Sequence, residues 1–216
     1  MAKNLVNARQ NPQVVRGKAP NANCICSATA STRRCAWAYD APVPPLEHAA
    51  NALGWHGVVV PDVSVLGQQV SAVVRIRSDV HEWRARNGWP PESDPSWFRS
   101  WFEPSFHDQV PVPAVELLGV LVFESSVDRA LTSCGTLMTL APCAVVLPSP
   151  QPEDPWRMIE LDYYGIGVVT ADSTGATALV PPEDRSGEFG PSLFGRWLLE
   201  VLYERTLELA HQPSSR

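Results

Sequence analysis

The stretch Val115–Pro182 decides the fold: VELLGVLVFESSVDRALTSCGTLMTLAPCAVVLPSPQPEDPWRMIELDYYGIGVVTADSTGATALVPP. It reads as an apolar run, a helix-length segment, a second apolar run, a second helix-length segment, a third apolar run and a short closing strand. Short apolar runs alternating with helical periods are what a parallel sheet with crossover helices requires. In the first helical segment Val127, Ala130, Leu131, Cys134, Leu137 and Met138 recur at three- and four-residue steps, so one face is expected to be buried. Cys134 falls on that face and Cys143 opens the next run; both read as small apolar residues, not nucleophiles. In the second segment Trp156, Ile159, Leu161, Tyr163 and Tyr164 are expected inward, with Glu153, Asp154, Arg157 and Glu160 in water. Gly165 stops that helix, and the run after it reads as a buried strand.

Upstream, Pro42–Gly57 carries prolines before a helical face of Leu46, Ala49, Ala50 and Leu53. Two strands follow around a turn near Gly67–Gln69, the second alternating Val70, Ala72, Val74 and Ile76 against Ser71, Val73, Arg75 and Arg77. Residues 78–110 break the pattern with an aromatic, proline-rich insertion. Within it, Asp94 is a natural N-cap with Pro95 at the first helical position. Trp97, Phe98, Trp101 and Phe102 then share one helical face, which either covers the sheet or docks a protein partner. His81 and His107 lack a spaced partner and read as structural or surface residues. Downstream of a polar loop, Ser192 caps an amphipathic helix whose stripe includes Leu193, Trp197, Leu198, Val201, Leu202, Thr206 and Leu209. That helix packs on the core or forms a homodimer seam.

The chain therefore divides into a basic, disordered tail (1–44), an α/β core (45–185) with the insertion at 78–110, and a loop plus C-terminal helix (186–216). The expected fold is α/β, with a mixed, largely parallel central sheet flanked by helices. No apolar run approaches the roughly eighteen residues needed to span a bilayer, so no membrane is expected as a partner. The first twenty residues lack an apolar core, so no secretory signal is expected either. Five cysteines, an odd count, suit a reducing compartment, and the cytoplasm is the default expectation. Cys24, Cys26 and Cys35 match no common zinc-finger spacing, even with His48 as a fourth ligand, and read as free thiols.

Charge narrows the chemistry. It runs +5 over residues 1–40, −3 over 41–110 and −8 over 111–216, making up the net −6. An acidic sheet-bearing half disfavours nucleic acid on that surface. The two lysines, Lys3 and Lys18, both lie in the tail, which excludes a Walker-type phosphate loop and any lysine base in the folded part. No G-x-S-x-G elbow, H-E-x-x-H helix or dinucleotide fingerprint occurs, and Gly165-Ile166-Gly167 leads into a strand.

From Pro45 the order is helix, strand, strand, insertion, strand, helix, strand, helix, Gly-Ile-Gly strand and a closing strand ending in proline. Over residues 45–185, most specifically APCAVVLPSP…DYYGIGVVTADSTGATALVPP, this resembles the PD-(D/E)XK restriction-endonuclease-like superfamily. The resemblance implies a three-layer fold. It also implies a centre in which a carboxylate from one strand and an E-x-K pair from the next hold Mg²⁺ and activate water. Glu124 stands at the glutamate position and Asp62 in Pro61-Asp62 at the first carboxylate, with Asp79 and Asp108 as other candidates. Ser126 stands where the lysine belongs, so the fixed positive charge is missing. The expected function is a catalytically silent nuclease-like domain serving as a binding or assembly module, without a cofactor. The alternatives are a divergent Mg²⁺-dependent nuclease, with Asp62 and Glu124 as ligands and Arg129 replacing the lysine, and an unrelated α/β scaffold.

Overall fold

The three apolar runs become neighbouring strands, each with its polypeptide running the same way. The structure, a computed structural model, describes residues 44–124, 127–148, 155–172, 174–188 and 192–211. The tail with Cys24, Cys26 and Cys35, the Asp154 position and Ser126 lie outside the described residues. The elements in order are α1 (Pro44–Ala52), β1 (Val58–Val65), β2 (Gln68–Ile76), α2 (Ser78–Arg86), α3 (Pro95–Ser100), β3 (Val115–Phe123), α4 (Val127–Leu137), β4 (Cys143–Pro148), α5 (Pro155–Tyr163), β5 (Gly167–Asp172), β6 (Gly175–Val180) and α6 (Leu193–His211). Short 3-10 turns lie at Pro104–Gln109 and Ser186–Glu188.

The six strands form one sheet in chain order, β1 to β6. β3, β4 and β5 are parallel; β1–β2, β2–β3 and β5–β6 are antiparallel. The sheet is thus mixed as expected, but not largely parallel, because three of its five pairings are antiparallel. A tight connection forces the first of these: β1 and β2 are joined by Leu66 and Gly67 alone, both in the left-handed region (φ 50° and 82°), which only a hairpin accommodates.

Helices flank the sheet unequally. The two parallel crossovers step in the same direction, from β3 to β4 to β5, so a common right hand puts α4 and α5 on one face. There Val120, Val122, Val145 and Val168 meet Ala130, Cys134 and Leu137 of α4 and Leu161 of α5. The antiparallel strands have no crossover helix, and α6 covers their half of the same face through Leu198, Leu202 and Tyr203. The opposite face carries Val73, Leu121, Ala144, Val146 and Val169 under Ala49 and Ala50 of α1. Both faces of β2 are therefore covered, and Val73 is buried along with Val70, Ala72 and Val74.

Three local expectations change. The stretch after Arg77 is not irregular: it forms α2, whose one buried residue is Arg84, so it shows no apolar period. α5 buries Leu161, whereas Trp156, Ile159, Tyr163 and Tyr164 are exposed. Leu161 lies about 140° around the helix from Trp156, so contact through it turns the aromatic stripe outward. The four aromatics of the 97–102 segment also divide. Trp101 is buried and Phe98 packs on Phe194 and Trp197 of α6, while Trp97 and Phe102 are exposed. Both expected caps form: Ser96 N–H donates to Asp94 at 2.7 Å and Gly195 N–H to Ser192 Oγ at 2.9 Å. The Ser96 hydrogen bonds hold the Asp94 carboxyl below its ordinary range.

On β3, the Trp55 indole occupies the space beside Gly119, where an added Cβ would lie 2.4 Å from the ring. Gly119→Ala is expected to destabilise by about 1–3 kcal/mol, from overpacking. Urea denaturation reads this as a lower midpoint, and Trp55→Ala in the same chain should remove the clash.

Candidate functional site

β2 and β3 stop pairing at Ile76↔Val115, and one step further Arg77 N–H donates to the Ala114 carbonyl at 2.9 Å. Residues 77–114 are therefore an excursion closed at its base, not a free loop. Its buried attachment is polar. Glu200, at the middle of α6, is fully buried, and Arg84 of α2 is 1% exposed. Glu200 Oε2 accepts from Arg84 Nη1 at 2.7 Å and from the Glu92 backbone N–H at 3.0 Å. Its Oε1 accepts from Arg84 Nη2 at 2.9 Å and from Arg196 Nη2 at 2.7 Å. Arg84 also donates to the Val112 carbonyl at 2.8 Å, and Arg196 Nε to that of Pro111 at 2.8 Å.

Burial alone would push the Glu200 carboxyl up. The Arg84 hydrogen bonds, the Glu92 N–H and Arg196 outweigh burial, and the carboxyl lies below its ordinary value. Glu92 moves the other way, because burial raises it further than the Trp89 indole hydrogen bond lowers it. Around this centre the Arg84 guanidinium stands 5.4 Å from the Tyr203 ring, and the Tyr203 hydroxyl lies 2.8 Å from His81 Nδ1. Trp197 Nε1 donates to the Ser93 carbonyl at 2.9 Å. Sheet, α6 and excursion are thereby held as one unit.

Two clefts flank the attachment, and Arg77 lines both. The larger, about 680 Å³, lies between the start of β3 and the first turns of α6, walled by Val115, Leu117, Leu140, Leu198 and Leu199. The smaller, about 530 Å³, is walled by Val80, Trp83, Trp89, Val110 and Val112, with Arg84 among its lining residues. The Trp83 and Trp89 ring centroids are 5.8 Å apart. Both volumes fall in the range of small-molecule sites.

The residues expected to form a metal centre are not brought together. Asp62 sits on edge strand β1 at a bulge, where three steps from Val60 to Val63 oppose two on β2. It is exposed and left-handed at φ 55°, a conformation Asp tolerates. Glu124 follows the end of β3, two strands away. From the pairings of Ala72 with Val60 and of Ser71 with Leu121, the two Cα atoms are about 12–13 Å apart at ordinary strand spacings. To share one Mg²⁺ at about 2.1 Å, both side chains would have to extend fully toward each other across β2. The intervening strand, β2, reads QQVSAVVRI and carries no carboxylate. Glu124 accepts a hydrogen bond from Ser133 Oγ of α4 at 2.9 Å. Arg129 is exposed on α4, Asp79 pairs loosely with Arg77 at 3.8 Å, and Asp108 falls in the 3-10 turn at Pro104–Gln109. Cys134 and Cys143 are free and buried; the neighbouring Cys134 thiol and burial push Cys143 well up. Among the described residues no group of three or more His, Cys, Asp or Glu side chains could hold a metal ion, and no helix is long and apolar enough to cross a membrane.

Arg77, Arg84, Arg196 and Glu200 did not stand out in the sequence. The one local signal was Arg196 and Glu200 at i, i+4 with Glu200 set among Leu198, Leu199, Val201 and Leu202, a carboxylate in an apolar neighbourhood. No family model matches the chain, and neither a curated protein nor a solved structure matches it.

Glu200→Ala leaves two guanidinium groups without their carboxylate and is expected to cost about 3–5 kcal/mol, read by urea denaturation at pH 7. The folded Glu200 pKa lies below its unfolded value, so its contribution is present above about pH 4.3 and is lost as pH falls through the folded value. The stability gap between wild type and Glu200→Gln should therefore be full at pH 7 and narrow below about pH 4.

Proposed function

We propose that this chain is a non-catalytic binding module on a nuclease-like α/β sheet, with its ligand surface where the 77–114 excursion meets α6. The observation that carries this reading is the separation of Asp62 from Glu124 by a strand without carboxylates, together with two clefts meeting at Arg77. The helix–strand order over residues 45–185 supports kinship with the PD-(D/E)XK fold, with Glu124 turned to a structural contact with Ser133. The exposed Trp97, Phe102 and Trp83 lie on the same excursion and supply aromatic contact area for a protein partner. The acidic balance of residues 41–216 supports a ligand other than a nucleic-acid backbone.

Supercoiled plasmid incubated with Mg²⁺ or Mn²⁺ tests the reading. The expected result is no cleavage above that of the Glu124→Ala variant, and no saturable heat on Mn²⁺ titration. Metal-dependent cleavage abolished by both Asp62→Ala and Glu124→Ala would establish the divergent nuclease instead.

A further inference from the structure

We propose that Arg77 anchors the head group of a small amphipathic anion, a carboxylate or phosphate on an aliphatic chain, whose apolar body occupies the 680 Å³ cleft between β3 and α6. This deepens the binding-module reading and rests on it.

The first observation is a residue choice that helix energetics does not explain. Arg77 occupies the N-cap of α2 with no side-chain capping hydrogen bond, although Ser78 and Asp79, both good caps, follow immediately. Local rules are broken most readily where function demands it. The second is that Arg77 keeps its donors. Among the described residues its guanidinium makes no hydrogen bond and one loose pairing, at 3.8 Å, with exposed Asp79. The other charged groups on the cleft already have charged partners. Arg196 is held by Glu200 and the Pro111 carbonyl through Nε and Nη2, with Nη1 unpartnered, and Glu116 accepts from Arg75 at 2.7 and 3.1 Å. An incoming anion meets the free donors of Arg77 and the unpartnered Nη1 of Arg196, and no unpaired carboxylate on the cleft wall.

The third observation selects the body of the ligand. Val115, Leu117, Leu140, Leu198 and Leu199 make the wall aliphatic, without an aromatic ring to stack on. The aromatic pair Trp83 and Trp89 belongs to the smaller cleft, on the other side of Arg77. An alkyl chain fits the larger cleft better than a planar ring, and Arg77 at its edge fixes which end of the chain faces out.

Calorimetric titration of the full chain with dodecanoate, dodecyl phosphate and dodecanol, each below its aggregation threshold, tests this. Saturable one-site binding is expected for both anions, and the tighter of the two identifies the head group. Dodecanol should bind at least about tenfold more weakly, and Arg77→Gln should weaken the anions by a similar factor. Removing two methylenes should cost about tenfold. Thr139→Trp, a bulky group at an exposed position on the cleft, should abolish binding while leaving the urea midpoint near wild type. The proposal is overturned if neither anion saturates, if Arg77→Gln leaves affinity unchanged, or if Thr139→Trp does. Such failure with no plasmid cleavage removes the ligand class alone; Glu124-dependent cleavage removes the binding-module reading whatever the titrations give.

Discussion

The carboxylate of Glu200 sits where no water reaches it, and the rest of the molecule is arranged so that it never needs water. An unpaired carboxylate in such a place would cost several kcal/mol; here four hydrogen bonds, from two guanidinium groups and one backbone amide, replace its hydration. Arg196 donates from α6 itself, whereas Arg84 and the Glu92 amide come from the excursion. α2 has one buried side chain, Arg84, and the Val110–Pro113 run has no strand partner, so the Glu200 cluster joins the His81–Tyr203 contact in laying the excursion against α6. The same two guanidinium groups donate to the Val112 and Pro111 carbonyls, tying the returning arm of the excursion to the outgoing one. A buried ion cluster of this kind adds little net stability but makes the wrong arrangement expensive.

That requirement follows from the handedness of the sheet. Parallel crossovers supply α4 and α5 to one half of one face and nothing to the half formed by β1, β2 and the near side of β3. A long C-terminal helix must close that half. Once α6 lies there, its flank at Arg196, Glu200 and Tyr203 needs a cover, which the excursion between β2 and β3 provides. Arg77 stands at the hinge of that cover, at the base of the excursion, so the clefts on either side of it are a consequence of how the layers close.

Much of the frame was legible in the sequence, and for identifiable reasons. Strand and helix periods in Val115–Pro182 report on local backbone geometry, and the Asp94-Pro95 and Ser192 caps are fixed by bonds two or three residues long. The Arg84–Glu200 pair spans 116 positions, and nothing in a polar segment such as HEWRARNG marks the arginine that will be buried. Periodicity likewise shows which face of α5 is aromatic but not whether anything covers it, so Trp156, Ile159 and Tyr163, expected inward, lie outward. Pro61-Asp62 resembles a catalytic pair in one dimension. In three it is a bulge that blunts the β1 edge, with proline removing a donor and aspartate taking the left-handed turn.

Hydrogen exchange measured by mass spectrometry on Arg84→Met separates this picture from a generic loss of stability. With the carboxylate stripped of its bidentate partner, peptides covering 78–113 and the first half of α6 should lose protection by orders of magnitude, while β3, β4 and β5 exchange as in the wild type. Protection lost evenly across the whole sheet, or retained across 78–113, would contradict the claim that the Glu200 cluster is what holds the excursion in place.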